Sequence, residues 1–187
     1  MKTTFALTTA IILFIVLASQ VSLGEMENDD EGERHLWQQQ PEVAVVNNNL
    51  YQNECGSCHF AYQPGLLPER SWQKIMSNLA NHFGDNAELG ALDRQAITQY
   101  LTHNSADKSP NRRSRNIMNS ITASQTPRRI TEIPYIAGKH DEIPAQLVNK
   151  NAKVASLSQC DSCHQTAAKG SFSENHISIP GYGKWDD

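Results

Sequence analysis

The chain has 187 residues, a formal net charge of −4 and 39% hydrophobic residues, so it is long enough for one domain or two small ones but short of apolar material for a conventional core. The acidic balance argues against nucleic acid as a partner. Its 4 cysteines lie far from the N-terminus, which leaves no acceptor there for a lipid.

The opening residues, "MKTTFALTTAIILFIVLASQ", place one lysine before an apolar run over 5–18 and then small polar residues. Residues 1–24 therefore read as a secretory signal peptide, cleaved after Ala18 or Gly24. The run is shorter than the roughly 20 apolar residues of a spanning helix and contains threonines, so no membrane span is expected after cleavage. Residues 25–43, with six acidic side chains and one arginine in "EMENDDEGER", are expected to form a solvated, disordered tail.

Structured chain is expected from Ala44, and 44–104 reads as one helical unit. In "LPERSWQKIMSNLANHFG", Pro68 suits a first turn and Gly84 a C-terminal stop. Trp72, Ile75, Met76, Leu79 and Phe83 recur at three- and four-residue spacing and form one apolar stripe, with His82 at its edge. A second helix is predicted from an Asp93 cap through Ala96, Ile97, Tyr100 and Leu101 to Asn104.

Composition then changes. Over 105–139, seven basic residues face only Asp107 and Glu132, a net charge of +5, and 105–128 reads as a basic linker. The last unit, 129–187, has few helix signals beyond the residues after Leu157 and is expected to be small and irregular. The fold class expected is mainly α.

Two stretches carry the chemistry: "ECGSCH" at 54–59 and "QCDSCH" at 159–164. All four cysteines, Cys55, Cys58, Cys160 and Cys163, sit in these CxxCH motifs, and nothing else repeats between the two halves. A CxxC pair alone fits a redox dithiol, and two pairs fit structural zinc, but only c-type haem attachment requires the histidine. Two intervening residues let both sulfurs reach neighbouring vinyl groups of one porphyrin, while the next residue offers its imidazole to the iron. Zinc is disfavoured further because paired CxxC halves usually lie about 15–20 residues apart, whereas here the second motif begins 105 residues after the first. The expected cofactors are two covalently attached haem c groups, with His59 and His164 as proximal ligands. Export agrees, since covalent haem attachment belongs outside the cytoplasm. Two buried porphyrins would also make good the shortage of apolar side chains, so haem-free protein is expected to fold poorly. Beyond a solvated linker, the basic connector could pair with haem propionates or dock an acidic partner.

The group opposite each proximal histidine separates electron transfer from ligand chemistry. Candidates are His35, His82, His103, His140 and His176, with Met76 and Met118. His35 is discounted for its acidic surroundings and Met76 as core filler in a helical stripe.

The blocks "ECGSCHFAYQPGLLPERSWQKIM", "LANHFGDNAELG", "ITQYL", "ITEIPYIAGKH", "CDSCHQTAAKGSFSE" and "ISIPG" resemble the dihaem cytochrome c family often called DHC, over most of the chain after Tyr51. The resemblance implies an N-terminal class I cytochrome c-like lobe, a small irregular C-terminal haem-binding lobe, and two bis-histidine haems. "LANHFG" then points to His82 as the sixth ligand of the first haem and "GKHDE" to His140 for the second, with His103 and His176 as surface variants. It also implies a periplasmic electron carrier whose redox partners include a monohaem oxygen-binding cytochrome c and a membrane cytochrome b. The alternative is a dihaem enzyme of peroxidase or nitrogen-oxide reductase type with one open iron, for which the chain is short and shows no distal acid–base set. A haem-based sensor would need a signalling module that the sequence lacks.

Overall fold

The computed structural model describes residues 41–185. The expected signal peptide, most of the acidic tail and His35 lie outside the described residues. Among the described residues no helix is long and apolar enough to cross a membrane.

The structure is mainly helical, as expected. Helix α1, Asn49–Cys55, starts where Asn48 Oδ1 accepts the Tyr51 amide at 2.8 Å and ends at Gly56, a side-chain cap that satisfies an otherwise orphaned donor. It buries Tyr51, whose hydroxyl donates to the Tyr62 carbonyl at 2.8 Å, and it delivers Cys55 into the first motif. Helix α2, Glu69–Met76, begins after Pro68 and buries Ser71, Trp72 and Met76. The Trp72 indole N–H donates to the Pro64 carbonyl at 2.8 Å. Helix α3, Ala91–His103, packs its Ile97 and Leu101 against α2.

Two helix expectations need correction. The helix foreseen up to Gly84 stops at Met76, and the chain continues through a 3-10 turn, Leu79–Asn81, into a bridge between His82 and Asp85. Ser77, Asn78 and Asn81 favour local turns over helix, and Gly84 closes the loop at φ +108° rather than capping a helix. In α3 the N-cap is Gly90, with Asp93 inside the first turn, where its carboxylate complements the N-terminal end of the helix dipole. Asn104 ends α3 as foreseen, its side-chain amide donating to the Tyr100 carbonyl at 2.8 Å.

The basic stretch 105–128 is not a simple solvated linker. It contains helix α4, Arg112–Asn119, with Ser114 and Ile117 buried. Ser114 Oγ donates to the Gly65 carbonyl at 2.8 Å, and Gly65 leaves room for this: an added Cβ would lie 2.7 Å from that hydroxyl and 2.8 Å from Val43 Cγ2. Ser114 and Ile117 pack one face of α4 inward, while Arg112 and Arg115 stay exposed on the other.

The acidic tail likewise ends earlier than expected. Val43 is fully buried, and the Glu42 and Val43 amides donate to the Gly170 carbonyl at 2.8 and 3.1 Å. Gly170 has φ +72°, and a Cβ there would sit 2.2 Å from the Val43 carbonyl oxygen. Gly170→Ala should therefore cost about 2 kcal/mol or more, lowering Tm by roughly 4–8 °C. A thermal melt reads this directly; an unchanged midpoint would mean that 41–43 contributes nothing to stability.

The C-terminal part is built from short pieces: α5, Pro134–Gly138; α6, Ala145–Val148; α7, Cys160–Cys163; and a hairpin of β1, Ser178–Ile179, with β2, Gly183–Lys184, antiparallel in the register Ser178 to Lys184. The core divides unequally. The larger cluster runs from Val43 and Tyr51 through Trp72, Ile97 and Ile117 to Ile136 and Phe172. The smaller has only Val148, Val154 and Ile179 as buried members.

Candidate functional site

Each CxxCH motif lines a cavity of its own. The first cavity, about 440 Å³, has Cys55, Cys58 and His59 on its wall together with His82, and Trp72, Ile75, Met76, Leu79 and Leu101 supply an apolar lining. The second, about 320 Å³, is lined by Cys160, Cys163 and His164 together with His140, Ile136, Val148, Val154 and Phe172. Ile130, Thr131, Gln159 and Cys160 line both, so the two cavities share a wall.

In each cavity two imidazoles face one another. The His59 and His82 ring centroids are 6.1 Å apart with planes 16° from parallel, and those of His140 and His164 are 6.0 Å apart at 78°. Two ring nitrogens about 2 Å from one metal, with ring centres about 1 Å further back, put centroids roughly 6 Å apart. Both pairs have that separation, so the residues present fit a metal-centred, planar, largely apolar group.

One ring of each pair is held from behind through its second nitrogen, while His164 Nδ1 is buried without a hydrogen-bond partner. His59 Nδ1 lies 2.8 Å from the Phe60 carbonyl, and His140 Nδ1 lies 2.7 Å from the Ile136 carbonyl. A donated N–H at those carbonyls fixes ring orientation and leaves Nε2 free as a ligand. Burial lowers the pKa of His82, and burial with the neighbouring His140 and Arg113 pushes His164 down to about 4. Both shifts favour the neutral form, the state in which imidazole binds metal.

The thiols point away from a redox dithiol. Burial pushes Cys55 up to about 11 and Cys160 up to about 12, and raises Cys163, whereas the reactive cysteines of redox dithiols have depressed values. Among the described residues no three His, Cys, Asp or Glu side chains converge to hold a metal ion on their own, which removes the four-cysteine zinc reading.

Other sequence candidates stand apart. His103 is exposed, its Nδ1 2.8 Å from the Gln99 carbonyl of α3, and His176 is exposed. Neither lines either cavity, nor does Met118. Met76 belongs to the buried α2 face that walls the first cavity.

Sequence reasoning missed several residues at these sites. Tyr62 stacks on His59 at 5.1 Å and donates its hydroxyl to the Ser158 carbonyl at 2.6 Å, tying the two motif regions together. Phe172 meets His164 edge-on at 5.3 Å. Glu42 and Arg113 line the second cavity as an ion pair. The only advance signal for any of these was the excess of basic residues around Arg113.

Comparison with known proteins agrees with the geometry. The profile of the family described as dihaem cytochrome c matches residues 51–172. The chain is similar to a dihaem cytochrome c of Shewanella baltica, at 42% identity and TM-score 0.62 over 76% of this chain and 100% of that one. It is also similar to a dihaem cytochrome c of Rhodobacter sphaeroides, at 39% identity and TM-score 0.62 over 70% of this chain and 100% of that one. None of the curated proteins matches the chain.

Proposed function

The chain belongs to the dihaem cytochrome c family and carries two covalently bound haem c groups, one on each CxxCH motif, and from that premise we propose that it is a single-electron carrier with two bis-histidine haems. The observation that carries the proposal is the pair of facing histidines in each cavity, 6.1 and 6.0 Å between ring centroids. When bound, each haem supplies a one-electron couple at its iron. His59 with His82 and His164 with His140 would hold the two irons, leaving no room for an oxidant or nitrogen oxide at the metal. The carbonyl-bonded rings of His59 and His140 would each keep one side of its site in place in both oxidation states, so an electron could come or go with little rearrangement. Imidazole in place of methionine also lowers the reduction potential.

The larger core cluster around the first cavity supports an N-terminal class I cytochrome c-like lobe, and the short pieces around the second support a small C-terminal haem-binding lobe. Export to the periplasm follows from the leader-like N-terminus and from the covalent haem. The partners would be other redox proteins, with a monohaem oxygen-binding cytochrome c and a membrane cytochrome b as those the resemblance suggests.

Optical and electron paramagnetic spectra of protein matured with haem test this reading. Reduced protein should be low-spin and unmoved by carbon monoxide. The oxidised protein should give two low-spin signals. Nearly parallel imidazoles interact with the same iron d orbital and split it from its partner, which moderates the g anisotropy. Crossed imidazoles interact with one orbital each, leaving the two almost degenerate and the anisotropy large. One ordinary rhombic signal and one highly anisotropic signal are therefore expected. A carbon monoxide adduct in the native protein would overturn the carrier reading in favour of an open iron and an enzyme.

A further inference from the structure

Arg113, the second residue of α4, is a largely buried cation beside the second cavity. Its side chain is 13% exposed and Nη2 is paired with the Glu42 carboxylate, itself 14% exposed. The Arg113 amide also donates to the Glu42 carbonyl at 3.2 Å. The guanidinium lies 5.1 Å from the Phe172 ring centre and 5.9 Å from that of Tyr135, between aromatic walls that also line the cavity. Yet Nε is buried without a hydrogen-bond partner.

An orphaned donor on a buried guanidinium is costly, because the group has left water and gained only part of the pairing that would compensate. A planar fork with one edge taken and another open calls for a second carboxylate-like acceptor. Haem has only two groups of that kind, its propionates. The first cavity offers a contrast: Arg128 and Arg129 line it, but both are exposed and lie over Phe83 at 5.8 and 4.3 Å, where solvent screens their charge.

We propose that Arg113 anchors the second haem through one of its propionates, with Nε donating to the propionate while Nη2 holds Glu42. The proposal rests on the reading of this cavity as a haem site. Arg113 then acts as a positioning residue and, with Glu42, sets the local charge at that haem. An added electron is favoured by the arginine and opposed by the glutamate.

The test is a spectroelectrochemical titration of holoprotein variants. Arg113→Gln should move one of the two waves negative, by a tenfold or larger change in the ferrous-to-ferric ratio, about 59 mV for one electron, and leave the other wave in place. Glu42→Gln should move the same wave positive. Resonance Raman should show one propionate bending band displaced in Arg113→Gln and retained in Arg113→Lys. If Arg113→Gln fails to mature, the Glu42→Gln wave and the Arg113→Lys Raman band still decide. Waves that stay put, or that move in the same direction in both glutamine variants, would reduce the pair to a packing role and overturn the proposal. That outcome is separable from failure of the haem reading, which would appear as high-spin or carbon monoxide-reactive iron in the unsubstituted protein.

Discussion

Replacing His82 with alanine is expected to turn one of the two irons into a site that binds carbon monoxide when reduced and cyanide when oxidised, while the other haem keeps its spectrum. The expectation follows from how the chain holds this imidazole. His82 sits on a short loop, not a helix, clamped by reciprocal backbone bonds with Asp85 at 2.8 and 3.2 Å. The Ala87 amide on the Leu79 carbonyl, at 2.9 Å, closes the loop from behind. Phe83 at φ +58° and Gly84 at φ +108° give it a tight bend. That loop holds no second histidine, and His103 and His176 line neither cavity. Because the ring is only partly buried, its loss should leave the fold intact and change the iron. The first haem's potential should rise as a strong donor is removed, and added imidazole should restore the native spectrum. Unchanged optical spectrum and potential in His82→Ala would sink the assignment.

What the sequence revealed and what it hid divide along one physical line. The CxxCH motifs were legible because haem attachment is chemistry between residues adjacent in the chain, and α3 because its buried Ile97 and Leu101 keep helical spacing. The stripe in α2 was legible only in part: Trp72 and Met76 are buried as the period requires, but the pattern ran on to Phe83 where the backbone does not. There the turn preferences of Ser77, Asn78 and Asn81 outweighed apolar spacing. Arg113 was visible only as one more charge in a basic stretch. Its setting depends on Glu42, which lies 71 residues away, and on Phe172. Tyr62 is similar, since the carbonyl it bonds lies 96 residues further on. Contacts at such separations leave no periodicity to read. His82 and His140 fall between these cases, each one histidine among several until a family pattern or a cavity singles it out.

Removing the second haem alone should unfold the C-terminal part of the chain and spare the rest. In a Cys160→Ala, Cys163→Ala double variant the second cavity loses the group that fills it. At about 24 cal/mol per Å³ of void, an unfilled 320 Å³ would cost roughly 8 kcal/mol before collapse. That is of the order of the whole stability of a domain, roughly 5–15 kcal/mol, so the walls must give way. Beyond the face that Leu66, Ile136 and Phe172 anchor in the larger cluster, they have little to resist with. The small cluster buries only Val148, Val154 and Ile179, helices α6 and α7 have 4 residues each, and the hairpin strands have 2. Helices and hairpins of that size do not persist without tertiary support. Around the first cavity, α2 and α3 retain the larger cluster, with Trp72, Leu79, Ile97 and Leu101. Hydrogen exchange read by mass spectrometry should therefore show protection lost over 141–159 and 174–185 and kept over 49–103, with one low-spin haem remaining in the optical spectrum. Equal loss of protection in both regions would instead mean that the shared wall at Ile130 and Gln159 binds the chain into a single cooperative unit. Full retention in both would mean that the C-terminal fold stands without its haem.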